Sequence, residues 1–167
     1  MGHYLKTANP IEIKGPYYHP VLVDINFEQL IKDELPILCI AAGTGILPFY
    51  QILRKYPNAN ITVAYCTSDG LLKQEMNAYN VHFYSPDQHP LTKDICRIKY
   101  NKKSYTYVLV CGSESFTNKL CGYDNDEQYS LNAMYKQENG IPVAIKSKQL
   151  TGWLKEIGFK SEQVIVL

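Results

Sequence analysis

The chain has 167 residues and a formal net charge of +1, from 17 Lys and Arg against 16 Asp and Glu. Hydrophobic residues make up 46% and charged residues 20%, a balance that excludes disorder and a coiled coil and suits one domain with an ordinary core. The near-neutral charge gives no reason to expect nucleic acid or an anionic membrane surface as partner, and no apolar stretch approaches the ~18–20 residues that a membrane span needs.

Strand and helix signals alternate along the chain. Residues 11–14 (IEIK) alternate and stop at Gly15-Pro16, as a strand closed by a turn does. A weak helix is expected near Phe27–Lys32. Ile37–Ala42 (ILCIAA) is a continuous apolar run, as for a strand covered on both faces. Gly43-Thr44-Gly45 breaks it, and residues 46–56 carry helical spacing, with Ile46, Phe49, Ile52 and Leu53 on one side. The pattern then repeats: a strand over 60–66, a helix over 71–79, a strand at Val81–Tyr84, a small helix over 91–97 and a second buried strand over 105–111. A helix over 115–121 follows. Residues 122–148 are polar and show no firm element, and a helix over 150–157, closed by Gly158, leads to a last strand over 163–167. Such alternation predicts an α/β fold, an open doubly wound parallel five-stranded sheet with right-handed crossovers.

Three loops carry the candidate chemistry. Gly43-Thr44-Gly45-Ile46-Leu47-Pro48 joins a buried strand to a helix. One glycine permits a tight turn, a second leaves room for a pyrophosphate at the backbone, and the helix start supplies free N–H groups. Pro48 falls in the first helical turn, where a missing N–H costs little. The third glycine of the usual dinucleotide fingerprint is absent. Cys111-Gly112-Ser113-Glu114 ends the other buried strand, at the carboxyl end where open α/β sheets collect ligands. Cys66-Thr67-Ser68-Asp69 follows the second strand, where such folds read the adenosine ribose. An acidic group there suits a free 2′-hydroxyl, so Thr67 and Asp69 favour NAD(H) over NADP(H), with Lys73 the one cation close by in sequence. Ser68 and Asp69 read equally well as caps of the next helix.

The five cysteines include no CxxC pair, and the four histidines are scattered, which fits free thiols in a reducing compartment and gives no zinc spacing.

The order IKGP, AAGTGILPFYQILR, YVLVCGSES and LKEIGF, with a strand at the terminus, resembles the ferredoxin–NADP reductase superfamily, and within it the NADH–cytochrome b5 reductases and their divergent fungal relatives. The resemblance implies a Rossmann-like NAD(P)-binding domain over residues 37–167, with an insertion at 122–148. Residues 1–36 would be a linker bearing the last strand of a truncated FAD-binding barrel. Family members pass hydride from NAD(P)H to FAD and then single electrons to a haem or other one-electron acceptor. The resemblance therefore implies a flavoprotein reductase whose FAD is held mainly by a domain missing from this chain, leaving the fragment alone inactive. By it, Gly43, Thr44, Gly45, Ile46 and Pro48 shape the pyrophosphate turn. Thr67 and Asp69 sit at the ribose, and Cys111, Gly112 and Ser113 border the nicotinamide, with no side chain acting as acid or base. It also implies a mitochondrial location or the cytosolic face of a membrane that this domain does not itself touch. The chain departs from the family at Leu47, where Thr or Ser is usual, at Ser113-Glu114 in place of Pro-Pro, and at Leu167 in place of a terminal aromatic residue. Those departures, and the tyrosines Tyr123, Tyr129 and Tyr135 of the insertion, leave a second reading: a degenerate reductase domain serving as a protein-interaction module. A flavodoxin-like FMN domain is a third, although the motif order does not resemble its phosphate loop.

Overall fold

The structure is a computed structural model, and it describes residues 27–122, 135–138, 141–144 and 150–167. The strand expected over 11–14, with its turn, lies outside the described residues, as do Tyr123 and Tyr129.

Five parallel strands form the sheet: β1 (Ile37–Ala42), β2 (Ile61–Cys66), β3 (Val81–Tyr84), β4 (Tyr107–Cys111) and β7 (Val164–Val166), in the order β3-β2-β1-β4-β7. β1 lies at the centre, with Cys39 opposite both Val63 of β2 and Leu109 of β4. Its apolar run is explained by that position, because alternate residues enter two different cores. Leu38 and Ile40 join Val108, Val110, Cys96, Tyr100, Leu120 and Leu154 on one face. Ile37, Cys39 and Ala41 join Ile46, Phe49, Val63, Tyr65 and Met76 on the other. A fully buried side chain such as Phe49 or Leu154 contributes about 1.5–3 kcal/mol by leaving water. The sheet is thus doubly wound, as the alternation of elements predicted.

The helices follow the expected order with altered bounds. α1 (Phe27–Lys32) forms as read, and Glu28 accepts hydrogen bonds from Lys55 Nζ (3.1 Å) and the Tyr56 hydroxyl (2.9 Å). After β1 a single 3₁₀ turn covers Gly43–Ile46 before α2 (Leu47–Lys55) begins. α4 (Lys93–Lys99) starts where the Thr92 hydroxyl accepts the Ile95 N–H at 3.2 Å. α5 (Glu114–Cys121) follows β4 directly.

Several elements are shorter than their sequence signals. The helix read over 71–79 shrinks to α3 (Lys73–Met76), because Gly70 and Leu72 both adopt left-handed φ values, 70° and 56°. The helix read over 150–157 shrinks to α6 (Trp153–Glu156). The Thr151 and Gly152 N–H groups both donate to the Cys121 carbonyl, at 2.9 and 3.0 Å, and so are held outside the helix. The last strand begins only after a 3₁₀ turn at Ser161–Gln163. One element appears where none was expected: β5 (Tyr135–Glu138) and β6 (Ile141–Ala144) pair antiparallel, apart from the main sheet. α4 and α6 are tied by Lys93 and Glu156 at 2.7 Å, and Lys119 of α5 sits 4.5 Å from the Trp153 ring centre.

Candidate functional site

The strand order reverses between β1 and β4: the chain proceeds from β1 outward to β2 and β3, then returns to β4 and β7 on the other side. The carboxyl ends of β1 and β4 therefore open a crevice between diverging connections, where open α/β sheets bind ligands. Gly43–Ile46 follows β1 at that edge, and Gly112-Ser113 follows Cys111, the last residue of β4.

The turn after β1 is rich in glycine and free of acidic side chains. Gly43 sits at φ 54°, with nothing within 4 Å of the place a Cβ would occupy. Gly43 and Thr44 are exposed, whereas Gly45 and Ile46 are buried. Neither the 3₁₀ turn nor α2 has an acidic residue in its first turn or a side-chain cap, and Pro48 stands in the first turn of α2. The Leu47 N–H donates to the Thr44 carbonyl and Pro48 has none, so what this surface can offer a phosphate group is the exposed glycine-rich backbone of the turn and the positive end of the α2 dipole.

Gly45 has a different reason to be glycine from the one read in the sequence. A Cβ there would lie 2.6 Å from the Cys111 carbonyl carbon and 2.9 Å from the Gly112 nitrogen. The space is filled by the β4 backbone rather than left open for a pyrophosphate. Gly112 returns the contact, since its Cβ would meet Phe116 at 2.8 Å and the Ala42 Cβ at 3.1 Å. The two loops are locked to each other, and that lock fixes the floor of the crevice.

On the β4 side Cys111 is half-buried, and burial pushes its thiol above the usual value. Ser113 is exposed at the start of α5 and makes no cap to the helix backbone; its Oγ lies 3.2 Å from Ser115 Oγ. Glu114 is exposed in the first turn, which makes this helix start less hospitable to an anion than the turn after β1. The Leu167 N–H donates to the Val110 carbonyl at 2.9 Å, which brings the last residue alongside the end of β4. Leu47 is 45% exposed beside the first turn.

The loop after β2 is ordered by its own side chains. The Thr67 hydroxyl donates to Asp69 Oδ1 at 2.7 Å and accepts the Gly70 N–H at 3.1 Å. The Leu71 N–H donates to the same Asp69 oxygen at 3.1 Å. The Thr67 hydroxyl, and after it the Leu71 N–H, hold the exposed Asp69 carboxyl below the usual range. The reading of Ser68 and Asp69 as helix caps does not hold, because the cap position of α3 is Leu72, without a side-chain cap. Asp69 caps the loop instead, and its Oδ1 accepts both bonds. Lys73 directs its ammonium over the Phe83 ring, 5.5 Å from the centre. Tyr65, near the end of β2, is a fully buried core residue whose ring lies 6.1 Å from Phe83. The groove lined by Lys32, Glu34, Lys55 and Asn58 lies at the opposite end of the sheet, before β1 and β2, and is separate from this crevice.

No family model matches the chain. Among curated proteins it is similar to NADH-cytochrome b5 reductase 2 of Ajellomyces capsulatus, at 28% identity over 97% of this chain and 51% of that protein. It is similar to the protein of the same name from Coccidioides immitis, at 29% over 97% of the chain and 50% of that protein. An uncharacterized FAD-binding protein of Schizosaccharomyces pombe matches at 27% over 72% of the chain and 45% of its own length. The chain spans about half the length of these relatives. It is a divergent relative of the fungal NADH-cytochrome b5 reductases, as its motifs suggested.

Proposed function

We propose that the chain is the pyridine-nucleotide-binding half of an FAD-dependent reductase of the cytochrome b5 reductase type. The observation that carries this reading is the pair of interlocked turns at the strand reversal, Gly45 against Cys111 and Gly112 against Ala42. They present an acid-free, uncapped helix start at the crevice. The names of the relatives favour a reductase over an interaction module.

In this reading Gly43, Thr44 and Pro48 shape the backbone that receives the pyrophosphate, with Gly45 and Ile46 as its buried support. Thr67 and Asp69 take the adenosine ribose, and the acidic group prefers a free 2′-hydroxyl, hence NADH over NADPH. Cys111, Gly112 and Ser113 border the nicotinamide. When bound, NADH supplies the hydride and FAD, held mainly by a separate flavin-binding domain, turns it into single electrons for a haem protein. The chain's own residues bind and orient, since a transfer between two rings rests on proximity. The half-buried Cys111 thiol, raised by burial, is a wall of the site rather than a nucleophile. None of the five cysteines forms a disulfide, which fits the reducing compartment of this reading, at the mitochondrial or cytosolic face of a membrane.

Titration of the 167-residue chain with NADH and NADPH tests the proposal. NADH should bind more tightly. Thr44→Glu, at an exposed position, should leave the fold intact and weaken NADH by at least about tenfold, because a carboxylate would occupy the anion surface. Unchanged NADH binding in that variant would place the nucleotide elsewhere.

A further inference from the structure

The net charge of +1 hides an uneven distribution. Residues 27–92 carry four Lys and Arg against six Asp and Glu, whereas residues 93–103 alone (KDICRIKYNKK) carry five against one. Those five are Lys93, Arg97, Lys99, Lys102 and Lys103, on α4 and in the loop that leads to β4, and all but Lys93 are exposed. Lys93 and Arg97 are paired, with Glu156 and Asp94. Lys99, Lys102 and Lys103 form no ion pair with any described residue.

The fold collects this charge at one end. α4 and α6 each lead into the amino end of a strand, β4 and β7, so their last turns lie at the end of the sheet opposite the crevice. The two helices meet there: a Cβ on Gly158, just past α6, would stand 3.0 Å from Lys102 Cδ and 3.4 Å from its Nζ. Lys155, exposed in the last turn of α6, adds a further cation. The loop between α4 and β4 is held in shape, since Asn101 Oδ1 accepts the Lys103 N–H at 3.1 Å and the Ser104 hydroxyl at 3.3 Å. Cations in the last turn of a helix suit its negative end, which accounts for Arg97, Lys99 and Lys155. It does not account for Ile98. That side chain is 77% exposed between Arg97 and Lys99, although Ile95 and Cys96 of the same helix pack on the core.

A partner for this surface must offer negative charge and, among the charges, an apolar layer that an isoleucine can enter. Nucleic acid offers the phosphates without the layer. A phospholipid surface offers both: anionic headgroups attract lysines, and the acyl boundary beneath them takes an apolar side chain. We propose that the end of the domain formed by the last turns of α4 and α6 seats on an anionic phospholipid surface, with Lys99, Lys102 and Lys103 at the headgroups and Ile98 entering the acyl boundary. The resemblance implied a domain clear of the membrane; the segregated charge argues otherwise. In this arrangement the crevice faces away from the lipid, so the proposal stands apart from the nucleotide reading.

The test is co-sedimentation of the whole chain with vesicles of phosphatidylcholine alone and of phosphatidylcholine mixed with phosphatidylserine. The wild type should bind the mixed vesicles, ignore the neutral ones and be released by about 0.5 M salt. Lys102→Gln with Lys103→Gln should weaken binding about 25-fold, at about fivefold per cation. Ile98→Ala keeps every charge and should weaken it about tenfold. Arg54→Gln, on α2 across the sheet, should bind as the wild type does. All these positions are exposed, so the melting temperatures should match. No binding to the mixed vesicles, equal binding to both kinds, or an equal loss in Arg54→Gln would overturn the proposal. Wild-type binding by Ile98→Ala would leave a surface for soluble polyanions and overturn the lipid as its partner. None of these results bears on NADH binding, which separate titrations measure.

Discussion

Gly45 and Cys111 touch backbone to backbone across the two central strand ends: a Cβ on Gly45 would stand 2.6 Å from the Cys111 carbonyl carbon. Main chain cannot swing aside as a flexible side chain can, so the contact admits no larger residue. Gly45→Ala should destabilise the protein by about 1–3 kcal/mol, the usual cost of forcing atoms into a packed interior. Gly43→Ala meets open space, and its cost comes only from the left-handed φ of 54°. It should cost about 1 kcal/mol. Thermal melts of the two variants check the ranking, and a greater loss for Gly43→Ala would contradict the packing described.

His82 predicts an acid-sensitive fold. Its Nδ1 lies 2.7 Å from the Tyr100 hydroxyl, which is in turn 2.7 Å from the buried Tyr84 hydroxyl. Burial, and then the Lys99 charge, depress the imidazole below its usual value of 6.5. The unfolded chain therefore takes up a proton before the folded one does. The stability linked to this group is complete above pH 6.5 and falls as pH drops through the depressed folded value. A protonated His82 would also have to donate to the Tyr100 oxygen, so the Tyr100 proton could no longer be given to the imidazole. Urea denaturation between pH 7.5 and 5 should show the decline, and His82→Gln should flatten it. An equal slope in the variant would assign the effect to other groups.

The excursion between α5 and α6 should be removable. Its two ends are bound together: the Cys121 carbonyl accepts the N–H groups of Thr151 and Gly152, and the Thr151 hydroxyl donates to the Gly122 carbonyl. A short Gly-Ser link in place of residues 123–149 therefore spans a gap that is already closed. Loop-closure entropy changes slowly with length, so the core should melt within a few degrees of the full chain. Loss of cooperative unfolding would mean that the excursion supports the core.

The thiols should be slow to alkylate in the native state. Burial pushes Cys66 and Cys96 up to about 12 and raises Cys39 and Cys111 as well. Thiolate is the reactive form, so at neutral pH these four should react with iodoacetamide far more slowly than in urea, with the half-buried Cys111 first among them. Fast native labelling of Cys66 or Cys96 would contradict the packing around them. In the nucleotide reading, bound NADH should slow Cys111 further.

Much of the fold was legible because its central strands are covered on both faces. ILCIAA and YVLVC have no solvent side to interrupt them, and the glycines that end them mark the site's edge. What stayed hidden depends on residues distant in sequence. Gly45 and Cys111 are far apart along the chain, and nothing local to either announces that their backbones meet. Helix signals over 71–79 and 150–157 overran because periodicity cannot reveal a left-handed Leu72 or a Cys121 carbonyl claiming two N–H groups. The β5–β6 pair was marked by Asn139-Gly140, a two-residue hairpin signal between YKQE and IPVA, and it escaped because neither run carries the strong apolar alternation that would draw the eye to it. In the site, Asp69 was recognisable by its place after β2. The bond from Thr67 that sets its carboxylate became visible only in three dimensions.

The sheet's outer strands are also its shortest, four residues in β3 and three in β7 against six in β1 and β2. An outer strand is where another molecule's backbone can add itself, and the number of rungs it offers limits how firmly the newcomer is held. A margin this brief gives a fibril little to grow from, so concentrated solutions of the native protein should resist amyloid-type assembly even though the inner strands, taken as peptides, have the apolar, uncharged character that drives it.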